Sequence, residues 1–84
     1  MKLQLITPEK IFFEGEIAQV QIPGALGEFG VLPGHAPFVS TIREGAVTIE
    51  LAGGQTRTIQ VSGGIAEVTP EKCVILADSA EAVA

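Results

Sequence analysis

Tryptophan and tyrosine are absent from this 84-residue chain, which also has a single cysteine and a single histidine. Without those two aromatics, the stacking platforms of sugar-binding and single-strand-binding modules are missing. One cysteine forms no internal disulfide, whereas small secreted domains usually have several, so a reducing, cytoplasm-like compartment fits better. A zinc centre needs three or four converging ligands, and with only His35 and Cys73 it would have to lean on carboxylates. No metal is expected. Basic residues are scarce too: five against ten acidic ones, for a net charge of −5. Nucleic-acid phosphates would be repelled by that balance. The longest apolar run is five residues, Cys73 to Ala77, where a membrane-spanning helix needs about 20. The opening Met-Lys-Leu-Gln-Leu has no apolar h-region and does not read as a signal peptide. These absences leave one soluble domain over residues 1–84, small enough to bury only about 60% of its unfolded surface.

What is present is strand patterning. Leu3 and Leu5 alternate with polar neighbours, as do Ala18, Val20 and Ile22, then Val47, Ile49 and Leu51, then Ile59 and Val61. A period of two marks half-buried strands. Ile17 is out of phase with the second group, which suggests a bulge near Gly15–Glu16. Thr-Pro-Glu-Lys occurs at 7–10 and again at 69–72, a tight-turn sequence with proline preset for its second position. Gly53-Gly54 signals a hairpin. Gly63-Gly64 sits too close to its strands for a simple loop and marks a kink, or a place where another backbone approaches. The final Ser79 to Ala84 favours helix but is too short to hold one alone. Short strands with turns every eight to twelve residues predict an all-β sandwich or barrel. Val20, Ile22, Val47, Ile49, Ile59, Val61, Val68 and Leu76 are its expected core.

The chain is organised around residues 27–37, Gly-Glu-Phe-Gly-Val-Leu-Pro-Gly-His-Ala-Pro. Pro33 and Pro37 lack the N–H that a sheet ladder needs, and glycines at 27, 30 and 34 permit unusual backbone angles. Such a stretch is not a regular strand throughout. It reads either as a shaped loop presenting Glu28, Phe29, Leu32 and His35 for binding, or as an irregular crossover between sheets.

No catalytic constellation survives inspection. Cys73 would need His35 as its base, yet it lies in an apolar strand where cysteine acts as a small buried hydrophobe. Glu14 and Glu16, two apart on a strand, share a face that is usually solvated. The Gly24, Gly27, Gly30 spacing is followed by Val-Leu-Pro rather than by the helix a phosphate loop requires. The swinging-arm reading fails because the hairpin tip, Ala-Gly-Gly-Gln, has no lysine. A binding or assembly role remains.

The stretches Val20-Gln-Ile-Pro-Gly24 and Gly27 to Pro37 together resemble the signature of the epsilon subunits of F-type ATP synthases, called delta in mitochondria. Val61-Ser-Gly-Gly-Ile-Ala-Glu-Val68 and Ile75-Leu-Ala-Asp-Ser-Ala80 agree in order and spacing, so the resemblance covers about residues 1–80. It implies a β-sandwich of two five-stranded sheets and a non-catalytic rotor subunit without a cofactor. It also implies two partners, the gamma subunit and the ring of c subunits, and a peripheral place on the cytoplasmic side of a bacterial inner membrane. Carried over by position, Glu28, Phe29, Gly30 and His35 match the ring-facing loop. Thr7, Ser40, Ser62, Gly63 and Gly64 match regions near gamma. Typical members continue into a two-helix domain that restrains ATP hydrolysis and in some binds ATP. This sequence stops a few residues after Asp78, so neither inhibition nor ATP binding is expected of it. The alternative from a different class is a free-standing β-sandwich ligand-binding module, which predicts a pocket where the rotor reading predicts an exposed apolar flank and none.

Overall fold

A computed structural model describes residues 1–83. Among them the chain forms nine strands and no helix: β1 (Lys2–Ile6), β2 (Ile11–Gly24), β3 (Gly27–Val31), β4 (Phe38–Ile42), β5 (Gly45–Leu51), β6 (Thr56–Val61), β7 (Gly64–Val68), β8 (Lys72–Ala77) and β9 (Ala80–Ala82). β2 runs for 14 residues and serves both layers. Its first half pairs with β1, beyond which lie β8, β7 and β4. Its second half pairs with β3 and β5, and β5 leads on to β6 and β9. With each half of β2 counted once, two five-stranded sheets result, as the resemblance implies.

The first sheet holds one parallel pair, β1 beside β8, with Leu3 opposite Cys73 and Leu5 opposite Ile75. Between the layers lie Leu3, Leu5, Ile17, Val20, Ile22, Val31, Val47, Ile49, Ile59, Val61, Val68, Cys73 and Ile75, all buried. Alternation explains most of this list, since period-two apolar residues share a face. Leu76 departs from it, at 48% exposed. The run Cys73 to Ala77 is apolar at both parities; Cys73, Ile75 and Ala77 take the inner face and leave Leu76 outside.

Several local expectations need correction. The bulge falls at Ala18, where the β2–β5 register slips between Ile17 and Gln19. That extra residue lets Ile17 and Val20 both face inward, while Gly15 stays in register opposite Leu3. The stretch 27–37 is strand in its first half, β3, and only the remainder is loop. A hairpin at Ala25–Leu26, closed by the facing pair Gly24 and Gly27, connects β2 to β3. The end of the chain adds a short edge strand, Ala80–Ala82, to β6 in place of any helical turn; Ala84 lies outside the described residues. Partner strands override weak local preference in so short a segment.

Other turns follow their chemistry. In both Thr-Pro-Glu-Lys turns the threonine N–H donates to the lysine carbonyl, at 2.9 Å for Thr7 and 2.8 Å for Thr69. Each threonine hydroxyl donates to the same carbonyl, at 3.2 and 3.1 Å. At the Gly53-Gly54 hairpin the N–H of Gly54 donates to Leu51, and Gly54 takes φ +93°. Gly64 has φ +143° and lies against the Leu76 carbonyl so closely that a Cβ there would overlap it. The glycine pair therefore marks a close backbone approach.

Candidate functional site

The residues expected to face the ring, and their neighbours, gather where β3, the loop after it and the start of β4 meet. β3 alternates: Val31 is buried and Phe29 half-buried, while Glu28 and Gly30 are exposed. The Phe29 ring meets Phe38 edge-on at 5.1 Å between centroids. His35 tilts over the same Phe38 at 4.9 Å, its Nδ1 donating to the Ala36 carbonyl at 2.7 Å. The N–H of Gly34 donates to Pro70 at 2.8 Å, which ties the loop to the second Thr-Pro-Glu-Lys turn. Glu28 lies 3.9 Å from the Arg43 guanidinium, a surface pair worth under about 1 kcal/mol. Sequence reasoning missed Arg43 and Phe38: both lie outside the 27–37 stretch, and only the fold brings them there. Phe29 acts here as a packing residue, with Glu28, Gly30 and part of His35 left facing out.

Thr7, Ser40 and Gly64 lie in the first sheet or at its end, while Ser62 and Gly63 link β6 of the second sheet to β7. Thr7 is buried, with its hydroxyl bonded to Lys10; Ser40 is half-buried and donates to its neighbour's carbonyl at 2.9 Å. Ser62 accepts from the Ser79 hydroxyl at 2.8 Å. None of these side chains forms an exposed surface of any size. Their chain neighbours do. Across the outer face of the first sheet, Thr41, Ile65, Leu76, Ile6 and Ile11 face one another strand by strand. Ile65, Leu76 and Ile11 are exposed, and Val39, two residues before Thr41, is 60% exposed. Five strands at about 4.8 Å spacing make this stripe roughly 19 Å long. A contiguous exposed apolar patch of that kind marks an interaction surface. Its sequence signal was apolar residues at both strand parities, as in Leu5-Ile6 and Val74-Ile75-Leu76. In the row beside the stripe, Val39, Glu67, Val74, Gln4 and Glu14 face one another, so apolar and polar side chains mix there. The Gln4 amide, then Lys2, hold the Glu14 carboxyl below its ordinary value.

Two clefts open elsewhere. One of about 350 Å³ is lined by Phe12, Phe13, Thr56, Arg57, Thr58, Ile59, Ala82 and Val83. The other, of about 400 Å³, includes Ser62, Ser79 and the acidic Glu44 and Glu81. The expectation of a surface without any pocket is therefore not met, although neither cleft touches Glu28 or His35. Among the described residues no group of three His, Cys, Asp or Glu could hold a metal ion. Cys73 is fully buried, and burial pushes its thiol up to about 11. At neutral pH it has almost no thiolate and cannot serve as a nucleophile.

Residues 1–83 match the family model described as ATP synthase, Delta/Epsilon chain, beta-sandwich domain. The chain is 55% identical over 80 residues to the ATP synthase epsilon chain of Rhodopseudomonas palustris strain BisB5, covering 95% of this chain and 58% of that one. To the epsilon chain of Maricaulis maris it is 50% identical over 84 residues, covering 62% of that protein. Against the epsilon chain of Caulobacter vibrioides it is 48% identical over 80 residues, covering 92% of it. The chain thus spans about three-fifths of the first two relatives and nearly all of the third. Among solved structures it superposes on a chain of the Euglena gracilis mitochondrial ATP synthase, in an assembly of OSCP, F1 and c-ring, with TM-score 0.89 and 29% identity, covering 95% of this chain and 51% of that one. A chain from the central stalk and c-ring of the Tetrahymena thermophila enzyme shares the fold, with TM-score 0.76 at 16% identity, covering 96% of this chain and 65% of that one.

Proposed function

Because the chain belongs to the delta/epsilon family of ATP synthase, through its β-sandwich domain, we propose that it is a non-catalytic rotor subunit of an F-type enzyme. In this reading it joins the gamma subunit to the c-ring and helps couple proton flow to ATP synthesis. It works as a peripheral member of a membrane-bound complex, on the cytoplasmic side in a bacterium. The observation that carries the reading is the apolar stripe on the first sheet. The core beneath it is already complete, so Ile11, Leu76 and Ile65 add nothing to the fold by facing water, and they suit a permanent partner. We assign that stripe to gamma, with Thr7, Ser40 and Ser62 to Gly64 as its backbone supports, and the Glu28, Gly30 and His35 surface to the ring.

The test is a pull-down with the tagged chain from detergent-solubilised membranes lacking their own epsilon. Gamma and c subunits should be recovered together. Leu76→Asp should lose gamma at least tenfold while unfolding at the same urea concentration as the parent, since burial of a leucine side chain is worth about 1.5–3 kcal/mol. Undiminished gamma recovery with that variant would refute the placement. A free-standing ligand-binding sandwich is the second reading, favoured by the cleft beside Phe12 and Phe13; it predicts a stable monomer that recovers neither subunit.

A further inference from the structure

The cleft of about 350 Å³ lies by the start of β2, at the other end of that strand from Pro23 and its partner Glu28. Two details of pairing give it its lining. Leu5 faces Phe13 and Ile6 faces Ile11, which leaves Phe12 without a partner in β1. An extra residue of this kind turns a strand locally. Phe12 and Phe13 are consecutive, yet both are half-buried and both pack against the core. On β6, Arg57 lies opposite the buried Ile49. Directly opposed residues share a face, so Arg57 stands in the core-facing row, two residues before the buried Ile59. It is exposed because it ends that row, where the cleft opens.

The cations beside the cleft have no carboxylate. Among the described residues the ion pairs are Met1 with Glu16, Lys2 with Glu14 and Arg43 with Glu28. Arg57 belongs to none of them. Neither does Lys10, whose ammonium lies 5.3 Å from the centre of the Phe12 ring. Glu50, next to Ile49, has the opposite parity on β5 and accepts from the Gln19 amide at 2.7 Å. In a chain of net charge −5, the cleft is a local reversal of sign.

Ligand pockets of roughly 300–1,000 Å³ combine apolar walls with a few polar groups that fix orientation. A guanidinium fork matches a carboxylate. We infer that the cleft between Phe12, Phe13 and Arg57 binds a small carboxylate with an apolar chain. The chain lies against the phenylalanines, Ile59 and Val83, and the carboxylate meets Arg57. An added peptide strand is the competing occupant. The β6 edge it would use is already taken beside the cleft, where the Val83 N–H donates to Thr58 at 3.1 Å. The site shares no residue with the apolar stripe or the Glu28 surface, and it does not depend on the rotor role.

The experiment follows amide and methyl NMR shifts of the chain titrated at neutral pH with decanoate, octanoate and decanol. Decanoate should saturate, with shifts centred on Phe12, Phe13, Ile59 and Val83, and bind roughly tenfold tighter than decanol. Octanoate should bind more weakly, by up to about fourfold per CH₂ removed. Arg57→Gln should abolish the preference for decanoate over decanol while leaving the urea midpoint unchanged. Decanoate that fails to saturate, or binds Arg57→Gln as well as the parent, would overturn the inference. So would shifts centred on Ile65 and Leu76. A short acidic peptide that binds the cleft when decanoate does not would refute the small-molecule occupant. Recovery of gamma should be equal for parent and Arg57→Gln; its loss would place the cleft within that interface and overturn a separate site.

Discussion

Cys73 shows how much one buried atom determines. Its thiol faces the interior opposite Leu3, and burial raises its pKa from 9.0 to about 11. The unfolded chain ionises at the lower value, so the buried neutral thiol is fully compatible with folding below about pH 9. Above that the unfolded state gains, and stability falls as pH climbs toward 11, by up to about 1.4 kcal/mol per unit. Urea midpoints at pH 8, 9.5 and 10.5, compared between the parent and Cys73→Ala, should show a steeper decline in the parent. Parallel curves would mean that the thiol is already reached by water. The sequence made this residue's role legible: an apolar run around a lone cysteine predicts a small buried side chain, and that is where it lies.

At the level of strands, the tightest constraint is where β7 begins against the end of β8. Gly64 pairs with Ala77 on one side and Ile42 on the other, and its φ of +143° suits only glycine. Gly64→Ala should therefore cost about 2–4 kcal/mol in denaturant titration. Gly53→Ala, in the open hairpin with nothing within 4 Å, should change stability by less than about 0.5 kcal/mol. Equal effects at the two glycines would contradict the close approach. The same strands mark the limit of sequence reading. Clean alternation placed β2, β5 and β6 and their core residues. Where apolar residues occupy both parities, as at Ile75 and Leu76, pattern alone does not decide the face, and the residues of the expected apolar flank went unidentified. The Ala25–Leu26 hairpin was missed because neither residue has a strong turn preference, the burden falling on the flanking glycines. Arg43 and Phe38 reached the candidate site through the fold, which no spacing records.

For the molecule as a whole, the proposed function makes a further prediction about the isolated 84-residue chain. Added to an epsilon-depleted enzyme, it should restore ATP-driven proton pumping without suppressing ATP hydrolysis. In this chain Ala80–Ala82 pair with β6, which holds that segment against the sandwich. Strong suppression of hydrolysis by this chain would contradict it. Glu28→Lys should lower the pumping recovered per ATP hydrolysed while leaving the unfolding transition cooperative. One feature of the topology also bears on how the protein comes into being. β1 is bordered by β2, close in sequence, and by β8, with Lys2 opposite Lys72. During synthesis β1 meets β2 within a few residues, yet its other edge stays bare until β8 has been made. A hairpin of two strands is not stable alone, so the sandwich cannot close until β8 has emerged. Until then Leu3 and Leu5 are within reach of neighbouring nascent chains, and a chaperone that shields those first six residues would protect the whole fold.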